Sequence, residues 1–132
     1  MTLTRSPLIG LLAVLFTAPV IAHHSFAAEY DKDQPVKVTG VVTRVEWTNP
    51  HIWFYVDVKE DDGRVLNWGF SGGPPGVLQR RGIGRNALKP GDVIIIQGYR
   101  AKDGSSNGTG ESVTFADGRR VFTASTEDPG AK

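Results

Sequence analysis

The sequence predicts an all-β protein on three observations. The 132 residues include 16 glycines and 8 prolines, a content typical of turn-rich β structure rather than of a helical bundle. Val36–Trp47 is rich in valine and threonine, and Ile52–Lys59 repeats with the period of two that a strand requires. Only one short stretch, Val77–Arg81, has a helical pattern, with prolines at its start and a glycine at its end.

The order of the elements favours a small OB-fold-like barrel of five to six antiparallel strands. The predicted elements are the strands Val36–Trp47, Ile52–Lys59 and Leu66–Phe70, the helix Val77–Arg81, the strand Val93–Tyr99, and a hairpin of Glu111–Phe115 with Arg119–Thr123. The alternation of the first strand changes phase near Gly40, which indicates a bulge or a bend. A long bent first strand and a short helix between the third and fourth strands are the layout of an OB-fold. A small open β-sandwich is the alternative.

Three details of this sheet can be predicted. We expect the even positions of the second strand to face the core and Trp53 and Tyr55 to face outwards. We expect Val93–Tyr99 to be a strand buried on both faces or nearly so, because it is a continuous apolar run. We expect Lys102–Gly110 to form a mobile polar loop, because it is rich in glycine and serine.

The first 22 residues have the layout of a secretory signal peptide. Arg5 precedes an apolar run from Leu8 to Phe16, and small or β-branched residues precede a cleavage point after Ala22. The run is too short to cross about 30 Å of hydrocarbon. We therefore expect a signal peptide over 1–22, a single domain over 23–125 and a flexible tail over 126–132, with no membrane span after cleavage. The expected location is the bacterial periplasm or the medium.

Composition excludes several functional classes. The absence of cysteine excludes disulfides, cysteine-ligated zinc and iron–sulfur clusters. Cleavage after Ala22 would leave 14 basic and 14 acidic residues, a balance that disfavours nucleic-acid binding. No phosphate-binding glycine motif occurs in a strand-to-helix setting, so a nucleotide cofactor is not supported. We expect a monomer whose partner is a protein or a small ligand.

Several strings resemble one family. HHSFAAEYD, VTGVVTRVEWTNPHIWFYVDV, LKPGDVIIIQGYRAKDG and ADGRRVF are similar to domain-of-unknown-function family 6152, a group of small exported bacterial proteins. WTNPH and YRAKDG are the most specific parts, and the likeness runs from His23 to about Phe122. The resemblance implies export and a single β domain, and it implies no activity.

The three histidines suggest a copper site. With cleavage after Ala22, His23 would offer its α-amine and its imidazole to one metal ion, and His51 would supply a third nitrogen. His24 is a substitute or fourth ligand. Nitrogen ligands in a tetragonal arrangement suit Cu(II), which also heads the affinity order of the divalent first-row ions. This set resembles the histidine brace of certain copper proteins. The alternative is that His23 and His24 bind copper incidentally and that His51 only caps a strand.

Aromatic and basic residues suggest a second type of site. The candidate ligand face contains Trp47, Trp53, Tyr55, Trp68, Arg80 and Arg81. Such a face would suit an anionic polymer, a lipid headgroup or a partner protein. The alternative is that most of these aromatic rings pack in the core or across strands, with Trp53 and Tyr55 beneath the segment Phe26–Tyr30.

Catalysis has the least support from the sequence. Gly69-Phe70-Ser71-Gly72-Gly73 fits the G-x-S-x-G pattern of a hydrolase nucleophile, but no histidine follows Ser71 to act as its base. The sequence therefore predicts an exported, non-enzymatic binding or accessory protein, with copper as its candidate cofactor. The alternative function is an interaction module that uses the aromatic and basic face.

Overall fold

The computed structural model describes residues 26–123. The elements are α1 (Phe26–Glu29), β1 (Tyr30–Glu46), β2 (Trp53–Lys59), β3 (Val65–Ser71), α2 (Pro75–Arg80), β4 (Val93–Ala101), β5 (Asn107–Phe115) and β6 (Arg120–Thr123). The expected signal peptide with its cleavage point, His23, His24 and the tail over 126–132 lie outside the described residues. No helix between residues 26 and 123 has the length and apolar character needed to span a bilayer.

The sheet closes into a ring, which confirms the predicted all-β, OB-like architecture with a short helix between the third and fourth strands. The neighbours run in the order β3-β2-β1-β4-β5-β6, and all of these pairs are antiparallel. The ring is completed by β3 and β5, where Gly69–Ser71 pairs in parallel with Asn107–Thr109. This closing pair differs from the expectation of antiparallel strands throughout.

The length of β1 allows it to pair with two neighbouring strands. Its first part pairs with β4 and its last part with β2, and Gly40 has partners on both sides. A Cβ atom at Gly40 would lie 2.8 Å from the carbonyl oxygen of Asp57, so this position needs a glycine. The bulge lies between Val42 and Arg44, after the glycine at which the sequence had placed it.

The core fills the inside of the ring. Its buried hydrophobic members are Val42, Ile52, Phe54, Val56, Val58, Trp68, Phe70, Leu78, Leu88, Ile94, Ile96, Val113 and Phe122. The even positions of β2 point inwards, as predicted. The Phe54 ring stacks on Phe70 at 5.7 Å between centroids and meets Phe122 edge-on at 5.8 Å, both favourable arrangements for aromatic rings.

Two expectations about the later strands were wrong. In β4, Ile94 and Ile96 are buried but Val93 is 44% exposed, so only one face of this strand is covered. The stretch 107–110 is not a loop, because it forms the start of β5. Glycine permits this close packing: a Cβ at Gly110 would lie 2.7 Å from Cζ of Phe54.

Candidate functional site

Trp53 and Tyr55 form an aromatic pair on the outer face of β2. Their rings stack with centroids 6.4 Å apart and planes inclined by 24°. The guanidinium of Arg44 lies over the Tyr55 ring, 4.1 Å from its centroid, and forms an ion pair of 3.1 Å with Glu46. The Tyr55 hydroxyl donates to Glu46 at 3.4 Å. The basic residue of this face is therefore Arg44, which the sequence analysis did not single out.

The register of the strands explains this grouping. Because of the bulge in β1, Arg44 is the direct cross-strand partner of Tyr55. On its other side Tyr55 is paired with Gly69, where a Cβ would lie 3.1 Å from Cε1 of Tyr55. The tyrosine ring thus covers a glycine of β3. This packing makes Tyr55 half-buried rather than exposed.

A cleft opens beside Trp53. It has a volume of about 280 Å³ and lies where α1, the start of β2 and the turn between β4 and β5 meet. The residues of this Trp53 cleft that matter below are Glu29, Tyr30, Trp53, Lys102, Asp103 and Asn107. Residues 28–30, from the segment that contains α1, line this cleft together with Trp53.

Buried contacts hold this segment in place. The Tyr30 hydroxyl lies 2.8 Å from the Ser71 hydroxyl, and the Phe26 ring packs on Tyr30 and Tyr99 at 5.4 and 5.8 Å. Burial raises the pKa of Tyr30, the hydrogen bond to Ser71 opposes this change, and the charge of Glu29 adds to it. The floor of the cleft is therefore a neutral phenol at physiological pH.

The Lys102 side of the cleft is also fixed. The Lys102 amide donates to the Glu29 carbonyl at 2.9 Å, and its ammonium donates to the carbonyl of Ala27. Asp103 accepts hydrogen bonds from the amide and the hydroxyl of Ser105 at 2.9 and 2.6 Å. These bonds, aided by the charge of Arg100, lower the pKa of Asp103.

The structure does not assemble the aromatic and basic face as a whole. Trp68 lies in the core, 7% exposed and stacked on Phe70 at 5.7 Å. Trp47 packs partly buried against the core. Arg80 and Arg81 are exposed at the end of α2, on a different element from the Trp53 cleft. Of the predicted face, the structure brings together Trp53 and Tyr55. Trp68 lies on the inward side of β3, and Trp47 directly follows the end of β1.

His51 is half-buried in the connection between β1 and β2, two residues before Trp53. Between residues 26 and 123, no group of three histidine, cysteine, aspartate or glutamate side chains is placed to hold a metal ion. Since His23 and His24 lie outside the described residues, the copper site stays a prediction.

A second and larger groove, of about 420 Å³, lies against β1, β4 and β5. It is lined by Val36, Lys37, Gln97, Gly98 and Tyr99 among others. Among the described residues, Tyr99 is the aromatic residue that lines this groove, and no tryptophan does. We therefore regard the smaller Trp53 cleft as the better candidate site, because an aromatic wall with a few polar groups is typical of small-ligand sites.

The profile of the family of unknown function DUF6152 matches residues 11–112. The chain belongs to this family, as its sequence strings had indicated. The matched stretch contains every residue named above for the Trp53 cleft. No curated protein and no solved structure matches the chain.

Proposed function

We propose that this member of the family of unknown function is an exported bacterial binding protein that holds a small ligand in the Trp53 cleft and catalyses no reaction. The cleft itself carries the proposal. It is a cavity with a tryptophan wall and a tyrosine floor, and polar side chains from three separate elements line it. Small-ligand sites combine apolar or aromatic walls with a few placed polar groups in this way.

The position of the cleft in the fold supports the same function. OB-folds bind ligands across the face of their second and third strands and the loops next to it, including the loop between the fourth and fifth strands. Trp53 begins β2, and Lys102 and Asp103 belong to the β4–β5 turn. This support is an analogy of fold, so it indicates the place of binding and not the ligand.

The state of Ser71 supports a non-enzymatic function. Ser71 is the one residue of the chain that fits a nucleophile motif, and it is 3% exposed. Its hydroxyl is bonded to the neutral Tyr30 phenol, which is not a general base at physiological pH. A substrate would have to displace the floor of the cleft to reach it.

A thermal-shift screen tests the binding function. A ligand present at 100 times its dissociation constant should stabilise the folded protein by about 2.7 kcal/mol. We expect the shift to disappear in Trp53→Ala and to persist in Val65→Ala, the matched control at a 59% exposed position of β3. Ligands whose shift is equally large in both variants would place binding outside the Trp53 cleft and contradict the proposal.

Copper binding is the second candidate function, and one geometric observation favours it. α1 begins at Phe26, and His23 is three residues upstream, a stretch of chain that spans at most about 11 Å. His51 is two residues before Trp53. Both expected ligands are therefore tethered to walls of the same cleft. Such tethering would bring a Cu(II) ion bound by His23 and His51 to the edge of the Trp53 cleft.

Native mass spectrometry of protein exported from a bacterium tests this candidate. We expect a mature mass that begins at His23 and retains one Cu(II) ion against a competing chelator. One alanine inserted before His23 should abolish tight binding, because the α-amine would move away from the imidazole. His51→Ala should weaken it. Equal retention of copper by the extended protein would contradict this ligand set.

A further inference from the structure

We infer that the Trp53 cleft accepts a single uncharged sugar ring, such as the end of a neutral glycan. This inference rests on the proposed function, because it names the ligand class of the same cleft. It is carried by three properties of the described residues: positive and negative charges around the cleft are balanced, one wall is an aromatic ring, and the polar atoms include both donors and acceptors.

The charges of the cleft are balanced and largely engaged. Glu29 and Asp103 are opposed by Lys102 and by Arg100 behind the turn. The Lys102 ammonium is held by the carbonyl of Ala27. An anionic ligand would meet two carboxylates, and a cationic ligand would meet two bound cations. A charged ligand of either sign would therefore meet like charges as well as opposite ones, so the electrostatics favour an uncharged ligand.

Arg100 is directed towards its own turn. Its guanidinium donates to the carbonyl oxygens of Ser105 and Gly104 at 3.1 and 2.7 Å, and it lies 5.5 Å from the centroid of the Trp68 ring. These contacts hold the guanidinium against the turn, and Arg100 is not among the residues that line the cleft. The turn therefore neutralises Asp103 without offering a cation to the cleft.

The polar atoms that remain match hydroxyl groups. Asn107 donates to the Ser105 hydroxyl at 3.0 Å, and in the described part of the chain its Oδ1 has no donor. The second carboxylate oxygen of Asp103 is likewise an open acceptor. The Lys102 ammonium keeps two further N–H groups. A hydroxyl both donates and accepts, so a ring with several hydroxyls can satisfy this mixed set.

Trp53 supplies the surface for the apolar side of such a ring. Its indole is half-buried and stacked on Tyr55, which fixes its orientation before any ligand arrives. The negative face of an aromatic ring attracts the weakly positive C–H groups of a ligand. At about 280 Å³ the cleft is at the small end of ligand sites, so it fits one ring and not a longer segment.

Isothermal titration of the processed protein with four trisaccharide probes tests the inference. The probes are maltotriose, tri-N-acetylchitotriose, trigalacturonate and chitotriose. We expect binding of at least one of the two uncharged probes. Trp53→Ala should weaken it by about tenfold or more, while Trp53→Phe keeps most of it and Val65→Ala leaves it unchanged.

Two results would overturn the inference, and they differ in what they say of the proposed function. Binding of only the charged probes, with loss in Trp53→Ala, would refute the preference for uncharged sugars and leave the cleft as a ligand site. If all four probes fail to bind, and no compound in the thermal screen gives a shift that depends on Trp53, both this inference and the proposed binding function are refuted.

Discussion

The hydroxyl groups of Tyr30 and Ser71 meet at 2.8 Å in a buried position, although the two residues are 41 positions apart in the chain. Tyr30 is the first residue of β1 and Ser71 is the last residue of β3. Their hydrogen bond ties the amino-terminal segment across the closing edge of the ring. It thereby fixes the floor of the Trp53 cleft.

Removal of this bond should weaken the protein measurably. Tyr30→Phe leaves the Ser71 hydroxyl buried without its partner, so we expect a loss of about 1–3 kcal/mol in the free energy of unfolding, measured by urea denaturation. The double variant Tyr30→Phe, Ser71→Ala should recover part of this loss, because no buried polar group is then left unpaired. A single variant as stable as the parent protein would show that the bond contributes nothing.

The same tyrosine predicts a loss of stability in alkali. The pKa of Tyr30 is raised above 10.0 in the folded protein, so above that pH the unfolded chain releases its proton first. The contribution of Tyr30 to stability is complete below pH 10 and falls as the pH rises towards the folded-state pKa. Denaturation midpoints measured between pH 8 and 11 should therefore fall less steeply in Tyr30→Phe than in the parent. If the midpoints of the two proteins fall in parallel as the pH rises, the raised pKa of Tyr30 is contradicted.

Gly98 should tolerate no side chain. A Cβ there would lie 1.6 Å from the carbonyl oxygen of Thr109, at the point where the β4–β5 register shifts. We expect Gly98→Ala to cost about 3 kcal/mol or more, because the clash is with backbone and not with a flexible side chain. Gly84→Ala is the matched control, since no atom lies within 4 Å of its Cβ position. Similar urea midpoints for both variants would show that the two strands are not packed as described.

The two tryptophans on neighbouring strands should behave differently. Trp68 is a core residue, so Trp68→Ala should cost about 3–5 kcal/mol. Trp53 is half-buried and stacks on one ring, that of Tyr55. Trp53→Ala should therefore lower the free energy of unfolding by only about 1 kcal/mol, while it removes ligand binding. Chemical denaturation gives the first comparison and calorimetric titration gives the second. A larger stability loss for Trp53→Ala than for Trp68→Ala would contradict the assignment of Trp68 to the core and of Trp53 to the ligand site.

The sequence was sufficient to predict the order of the six strands, the helix between β3 and β4, and the inner face of β2, but not α1 or the first six residues of β1. Periodicity failed for β4, because three consecutive isoleucines suggest burial on both sides, whereas Ile95 is on the outer face and only half-buried. It also failed at the start of β5, where Gly108 and Gly110 suggest a loop but serve close contacts with neighbouring backbone and rings. Composition cannot distinguish these two uses of glycine.

The candidate site was harder to predict than the fold. The exposed side of β2 indicated Trp53 and Tyr55, and both belong to the site region. The contribution of Arg44 depends on the bulge in β1, which changes the register by one residue and brings this guanidinium over Tyr55. Lys102 comes from the turn between β4 and β5 and Asn107 from the start of β5, and the positions of both depend on closure of the ring. Such long-range pairings leave no local signal in the sequence.

Binding in the Trp53 cleft is tested most directly by a map of amide chemical-shift changes in the ¹⁵N-labelled protein while a ligand from the thermal screen is added. We expect the largest changes at Glu29, Trp53, Lys102 and Asn107, which line the Trp53 cleft. The larger groove provides an internal control, because Lys37, Gln97 and Ser112 line it and should change little. Changes concentrated in that groove, with none at Trp53, would contradict the assignment of the ligand site.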